Sequence, residues 1–332
     1  MLQNVIVTHT DLDGVAAAAI YIRLLGGGLG LDTSIVFTEP YKLHKVLKNV
    51  PRDVKRLAIM DLGPNASTFD EIVSVLDGLL RRSVVVEWYD HHRWREEWIN
   101  KLSSIGTRIY VDTSTCAAGV VAKYAPNELG VEADDFVKSL VSATCAADLW
   151  KWDDPWAPKL YRVVGRYRGS KADAWRRLLV KGFSEGSLWW PELDDALSEY
   201  ITRELKGFHK NLKRVHLTEL DGCRIVFVLK EPGPPNTSIL GNTLLHRYGA
   251  DIAVIVGKRG KGLSLRSIRA NVQRLAYRLG GGGHPRAAGA PLNLGFLQRI
   301  ASFILPSIKL RHAKRIVISA IEELGGCHAL LD

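Results

Sequence analysis

His9, Asp11 and Asp13 stand at every second position of residues 5–19, VIVTHTDLDGVAAAA. Alternate side chains of an extended backbone share one face, so an imidazole and two carboxylates project together here. Such a set suits a divalent cation that prefers oxygen and nitrogen ligands. The same pattern, taken alone, also describes a strand-to-helix turn whose Asp caps the helix. Three more groups of the same chemistry follow. Asp61 ends the apolar run RLAIM, Asp90-His91-His92 follow a second apolar run, and Asp148 closes an alanine-rich one. In a histidine pair, one ring can ligate metal while the other donates to a phosphate or protonates a leaving group. No G-x-S-x-G or Cys–His signature offers a covalent nucleophile.

The elements that must position these groups alternate. Val5-Ile6-Val7 is β-branched and predicts a buried strand; Gly14 breaks it, and residues 16–25 read as a helix with small residues on its packing side. Residues 34–37 predict a strand, 41–49 a helix, and 56–60 a strand ending at Asp61. Residues 67–80 predict a helix closed by Arg81-Arg82, and 84–88 a strand running into Tyr89-Asp90-His91-His92. Helices are expected over 114–124 and 134–147, the second ending in Asp148. Asp153 and Asp154 read as flanking the turn before Pro155. Trp150, Trp152 and Trp156 read as packing residues, with a platform for stacking bases as the sharper alternative. Repeated strand–helix units predict a parallel sheet with helices on both faces. The carboxyl ends of parallel strands share one edge, where open α/β sheets bind ligands.

Leu193, Leu197, Ile201, Leu205, Phe208 and Leu212 recur at helical spacing and predict a long connecting helix across a substrate cleft. The expected fold class is therefore α/β: a parallel-sheet domain over residues 1–189, a connector helix over 190–215, and a smaller α/β substrate-binding domain over 216–332. In the last, strands are predicted at 224–229, 251–256 and 263–267, with helices at 238–248 and 268–279. The run Gly280–Gly283 predicts a loop of unusual dihedrals whose N–H groups cradle a phosphate. His284 and Arg286 add donors, and Arg266 can contact a phosphate through two nitrogens. Residues 296–331 read as an apolar helix carrying Lys309, Arg311, Lys314 and Arg315, then a second stretch over 316–324.

Charge separates the halves. Residues 1–202 carry 24 Lys+Arg against 27 Asp+Glu, whereas residues 203–332 carry 21 against 8. The acidic chemistry sits in one half and the positive excess in the other, as expected for a polyanionic substrate gripped by the C-terminal half. At 332 residues and 46% hydrophobic, the chain can build two cores. No segment is long and apolar enough to span a membrane, and residues 1–7 lack the pattern of a secretory leader. The four cysteines form no C-x-x-C pair and read as reduced, buried residues of a cytoplasmic protein, with no structural zinc site.

The runs HTDLDG, MDLG, YDHH and AADLW, in this order, resemble the four motifs of the DHH phosphoesterase superfamily. GGGGHPRAAGA, preceded by LSLRS, resembles the glycine-rich signature of the DHH-associated substrate domain. The resemblance implies two metal ions, Mn2+ with Mg2+ as the alternative, around a bridging water. It implies Asp11, Asp13, Asp61, His91 and Asp148 as ligands. His9 joins them by position, though in many members the motif histidine lies four residues before the first ligating aspartate, where this chain has Val7. His92 and Asp90 become the catalytic pair, with His92 facing the scissile phosphate. Ser264, Arg266, Gly281, Gly282, Gly283, His284 and Arg286 become the substrate-binding set. The activity implied first is a RecJ-like single-strand exonuclease releasing mononucleotides from DNA or RNA. Alternatives are a short-oligonucleotide hydrolase, a cyclic-dinucleotide or phosphoadenosine phosphatase, and an inactive replication or repair scaffold. Expected partners are single-stranded DNA or RNA, short oligonucleotides, and a repair or replication protein; no membrane is expected.

Overall fold

The computed structural model describes residues 3–51, 53–167 and 169–331. The chain divides into two compact units, Met1–Leu197 and Ser198–Asp332.

In the first unit the β-branched runs form strands β1 (Asn4–Thr8), β2 (Thr33–Phe37), β3 (Arg56–Met60), β4 (Val85–Asp90) and β5 (Arg108–Val111). They make one parallel sheet in the order β2-β1-β3-β4-β5. The register is level at the carboxyl end: Thr8 pairs with Phe37 and Met60, and Met60 with Tyr89. The residues after these strand ends therefore emerge side by side. Alternation along the strands makes two cores. Ile6, Ile35, Ala58, Met60 and Tyr89 pack on one face with α1 (Leu12–Leu25), α5 (Ala117–Leu129), α6 (Asp135–Asp148), α7 (Ala157–Val164) and α8 (Ser170–Ser184). Val5, Val7, Leu57, Ile59, Val86 and Trp88 pack on the other with α2 (Leu43–Leu47), α3 (Phe69–Leu80) and α4 (Glu96–Ser104). Each buried Leu or Ile contributes about 1.5–3 kcal/mol, so these two layers fix the strand ends firmly. In α1, Ala16 to Ala19 are wholly buried, and their small size lets α5 approach closely. α5 begins later than the sequence predicts and runs past Pro126 to Leu129. The short β5 and α4 carry too weak a pattern to be read in advance.

The connecting helix α9 (Pro191–Leu212) contains the boundary between the units. In the second unit β6 (Val215–Leu220), β7 (Cys223–Lys230), β8 (Ile252–Gly257), β9 (Gly262–Ser267), β10 (Gly282–His284) and β11 (Ala287–Pro291) form a sheet in the order β10-β11-β9-β8-β7-β6. Only the β7–β8 pair is parallel. One face packs against α11 (Val272–Arg278) and α13 (Ser307–Glu323); Val226, Val228, Ala253 and Ile255 on the other pack against α10 (Thr237–Tyr248). A further helix, α12 (Phe296–Ile304), precedes α13.

The glycine run has unusual dihedrals as expected, with φ 77° at Gly280 and 139° at Gly283, and its second half is a hairpin strand: Gly282 pairs with Gly289 and Gly283 with Ala288. A methyl at Gly281 would lie 2.0 Å from the Gly289 oxygen, and one at Gly283 2.6 Å from Ala288 Cα, so these glycines serve close approach of their own backbone to β11. The cysteines are not reduced: Cys116 pairs with Cys145, and Cys223 with Cys327. Partners 29 and 104 residues apart are joined by the fold, which no local spacing rule detects. Among the described residues, no helix is long and apolar enough to cross a membrane.

Candidate metal centre

The turn after β1 builds the first half of the site. Thr8 donates its hydroxyl to the Gly14 oxygen at 2.7 Å, and Asp11 accepts from the Gly14 N–H at 3.2 Å as N-cap of α1. A Cβ at Gly14 would lie 2.5 Å from the His9 oxygen, so only glycine closes this turn. Asp11 thus caps the helix through one carboxylate oxygen, while the other stands 3.0 Å from His9 Nδ1. Asp13 is buried within the first turn of α1. Its carboxylate accepts the Ala117 and Ala118 N–H groups, at 2.7 and 2.8 Å, at the N-terminus of α5, where the helix field favours negative charge.

Asp61 leaves β3 with φ 54°, a left-handed conformation uncommon for a non-glycine residue and typical of functional sites. One of its oxygens lies 3.4 Å from His9 Nδ1 and the other 3.5 Å from His91 Nε2. His91 Nε2 also lies 3.8 Å from Asp13 and 3.7 Å from Asp148, the last residue of α6. Two triads that could each hold a cation result, His9-Asp11-Asp61 and Asp13-His91-Asp148, each with donor atoms within 4.8 Å of one another. Asp61, His91 and His92 meet the same criterion, which links the triads.

Asp90 is fully buried with both oxygens engaged: Oδ1 is 2.8 Å from His92 Nδ1, and Oδ2 accepts from Trp94 Nε1 at 2.6 Å. It fixes the orientation of the His92 ring through Nδ1. Glu39, at the end of β2, was missed by the sequence reading. It lies 3.2 Å from His9 Nε2 and accepts the Thr10 hydroxyl at 2.9 Å, while Arg176 Nε donates to the Thr10 oxygen at 2.7 Å. Glu39 follows the carboxyl end of β2 much as Asp61 follows that of β3.

The electrostatics call for cations. Burial, and then the charges of Asp61 and Asp148, raise Asp13 well above the carboxylate range. Burial and Asp11 raise Asp61. Burial, with Asp11 next, pushes Asp148 up to about 7. Burial opposes charge on the histidines, but the carboxylates win. Asp11, Asp61 and Glu39 raise His9, Asp61 and Asp13 lift His91 to about 9, and Asp90 lifts His92 to about 9. Asp61 Oδ2 is buried and accepts no hydrogen bond among the described residues. Converging carboxylates, imidazoles and an unsatisfied buried oxygen fit two hard divalent cations, with no sulfur ligand.

In the second unit Ser264 and Arg266 of β9 pair with Gly289 and Ala287, which pair with Gly282 and His284. The register puts Ser264, Arg266, Gly282 and His284 on one sheet face. Arg266 donates to the Ser238 hydroxyl at 2.9 Å and to the Leu265 oxygen at 2.8 Å. Arg286, in the β10–β11 turn, donates to the Arg269 oxygen.

Residues 225–309 match the DHHA1 domain model. No curated protein is significantly similar in sequence. Among solved structures, RecJ of Thermus thermophilus in complex with Mn2+ superposes with a TM-score of 0.60 at 17% identity over 94% of this chain; the match spans only 52% of that RecJ. The DHH domain of a protein described as belonging to a family of ribosomal proteins gives 0.62 at 15% identity, covering 93% of this chain and 87% of its own. Another exonuclease RecJ, bound to manganese, gives 0.55 at 17% identity, covering 94% and 90%.

Proposed function

We propose that this DHH-superfamily protein, which carries a DHHA1 domain in its second unit, is a metal-dependent phosphodiesterase acting as a RecJ-like exonuclease on single-stranded nucleic acid. The observation that carries the reading is Asp61, which turns one oxygen toward each ligand triad. His9, Asp11 and Asp61 would hold one cation, and Asp13, His91 and Asp148 the other, with Asp61 between them. Mn2+ is the ion we infer, with Mg2+ as the alternative. Two such ions, when bound, supply a hydroxide near neutral pH and offset the charge gathering on the phosphoryl oxygens.

The chain's own groups do the rest. The α5 amides and the β3 and β4 ends hold the carboxylates and His91 before substrate arrives. Asp90 keeps the His92 ring oriented, and the raised affinity of His92 for its proton makes it a donor to the phosphoryl or leaving oxygen. Ser264, Arg266, Gly282 and His284, together with Arg286 and the backbone of Gly281 and Gly283, form the surface we assign to the phosphate backbone. The positive excess of residues 203–332 supports a polyanion over a small substrate.

The test is an Mn2+-dependent digestion series on end-labelled DNA and RNA from dinucleotides to about thirty-mers, beside pyrophosphate and cyclic dinucleotides. Stepwise release of mononucleotides from long strands supports the reading. A preference for dinucleotides reassigns the substrate to short oligonucleotides, and tight strand binding without turnover in any metal reassigns the protein as a scaffold.

A further inference from the structure

We propose that the Cys116–Cys145 disulfide is a positioning device of the metal centre, holding the helix end that binds Asp13 against the helix that carries Asp148. The inference rests on the metal-centre reading above. Cys116 is the N-cap of α5, and its side chain makes no cap hydrogen bond. The next two N–H groups, of Ala117 and Ala118, are the ones that grip Asp13. Cys145 lies on α6, three residues before Asp148 and so one turn away on the same side. The bridge therefore joins, with Cα atoms 5.2 Å apart, the two elements that place two ligands of one triad.

Next to the bridge the buried side chains are small: Ala117 and Ala118 follow Cys116, and Thr144 and Ala146 flank Cys145, whereas the larger Val120 and Leu140 lie about a turn further along their helices. Alanine offers little apolar area and few dispersion contacts compared with leucine or isoleucine. Asp13 and Asp148 both lie within 4 Å of His91 Nε2, and a covalent tie holds the elements that place them at that spacing. Cys116 is wholly buried and Cys145 partly so, with Thr115 Oγ1 3.5 Å from the Cys145 sulfur, so the Cys145 side is the one from which a dithiol would have to approach. Reduction takes two electrons and two protons from the dithiol, which closes to its own cyclic disulfide and leaves two thiols on the protein. The second bridge, Cys223–Cys327, lies in the other unit and touches none of these ligands, so it serves as the internal control.

The experiment uses the full chain carrying Cys223→Ser and Cys327→Ser, so that one bridge remains. Mn2+ affinity is measured by calorimetric titration before and after reduction by a dithiol, with thiols counted in each state. Amide exchange at Ala117 and Ala118 is followed in parallel on metal-free protein. Reduction is expected to weaken Mn2+ binding about 10–100-fold, the usual effect of losing an outer support of a ligand. It should also speed exchange at Ala117 and Ala118 while helix content is retained. Cys116→Ser with Cys145→Ser should reproduce both changes, and the control pair alone should leave Mn2+ affinity within about twofold. Unchanged affinity and unchanged exchange after full reduction would overturn the inference, as would two free thiols in this protein before reduction. Failure of the oxidised protein to bind Mn2+ at all would instead refute the metal-centre reading; the exchange measurement needs no metal and decides the positioning role on its own.

Discussion

His91 Nε2 lies 3.5 Å from Asp61 Oδ1, although the two residues end different strands and are separated by thirty positions in the chain. Two ligand atoms about 2.0–2.2 Å from one ion stand at a comparable separation. The level register of β3 and β4 sets this distance, because Met60 and Tyr89 are paired neighbours. Position in the sheet is thereby converted into chemistry at its edge.

Asp61→Asn is the variant that isolates charge from backbone. Asparagine tolerates the left-handed φ of 54° that most residues resist. The fold should survive, with a melting temperature at or above that of metal-free wild type. Hydrolysis should fall by about 10³-fold or more, since paired-ion stabilisation is worth several kcal/mol. Turnover close to wild type would remove Asp61 from the site.

Glu39→Gln should weaken Mn2+ binding about 10–100-fold by releasing the His9 ring from its orienting carboxylate. Burial works against the charged ring, yet Glu39 helps Asp11 and Asp61 hold the His9 proton. The variant should therefore also lower the proton affinity of His9 in metal-free protein. Nuclear magnetic resonance titration of the ring reads this directly, and an unmoved titration would deny Glu39 that role.

The pH dependence has a definite sign. Asp13, Asp61 and Asp148 bind protons more tightly folded than unfolded, so metal-free protein loses stability as pH rises through about 7, the folded value of Asp148. The histidines act in the same direction. Their contribution is complete below the ordinary value of 6.5 and is lost as pH passes the folded values of about 9 for His91 and His92. Thermal scans of metal-free protein should show falling stability from pH 5 to 9. Mn2+ should raise the melting temperature more at pH 8 than at pH 6, because at pH 6 it must displace protons. A larger metal effect on the acid side would contradict the assigned cluster.

Gly281→Ala tests the hairpin. The added methyl would meet the Gly289 oxygen, so β10 must peel from β11. Melting of the second unit should fall by the equivalent of about 1–3 kcal/mol, and oligonucleotide binding should weaken with it. Arg266→Ala, by contrast, should chiefly raise the substrate concentration needed, with the turnover rate nearly kept. An Arg266→Ala protein with unchanged KM and lowered kcat would reverse these roles.

The first unit was readable because its strands are short apolar runs that end in charged residues: RLAIM before Asp61 and the run before Asp90 place their own ends. The parallel sheet then follows from helix alternation, and the shared edge from the sheet. Glu39 escaped because it sits beside Pro40 with no motif around it. The hairpin pairing of Gly282 and Gly283 was not legible, because close approach to a partner strand and close approach to a ligand demand the same residue type. The disulfides were illegible because their pairing depends on packing, of α5 onto α6 for one and of the start of β7 beside Cys327 for the other.

The most direct test of the paired centre is electron paramagnetic resonance of Mn2+ titrated into the metal-free protein. Two ions per chain with the signature of exchange coupling are predicted for wild type. Asp61→Asn should lose the coupling and bind one ion at most with comparable affinity. A single uncoupled ion in wild type, or coupling that persists in Asp61→Asn, would contradict the account.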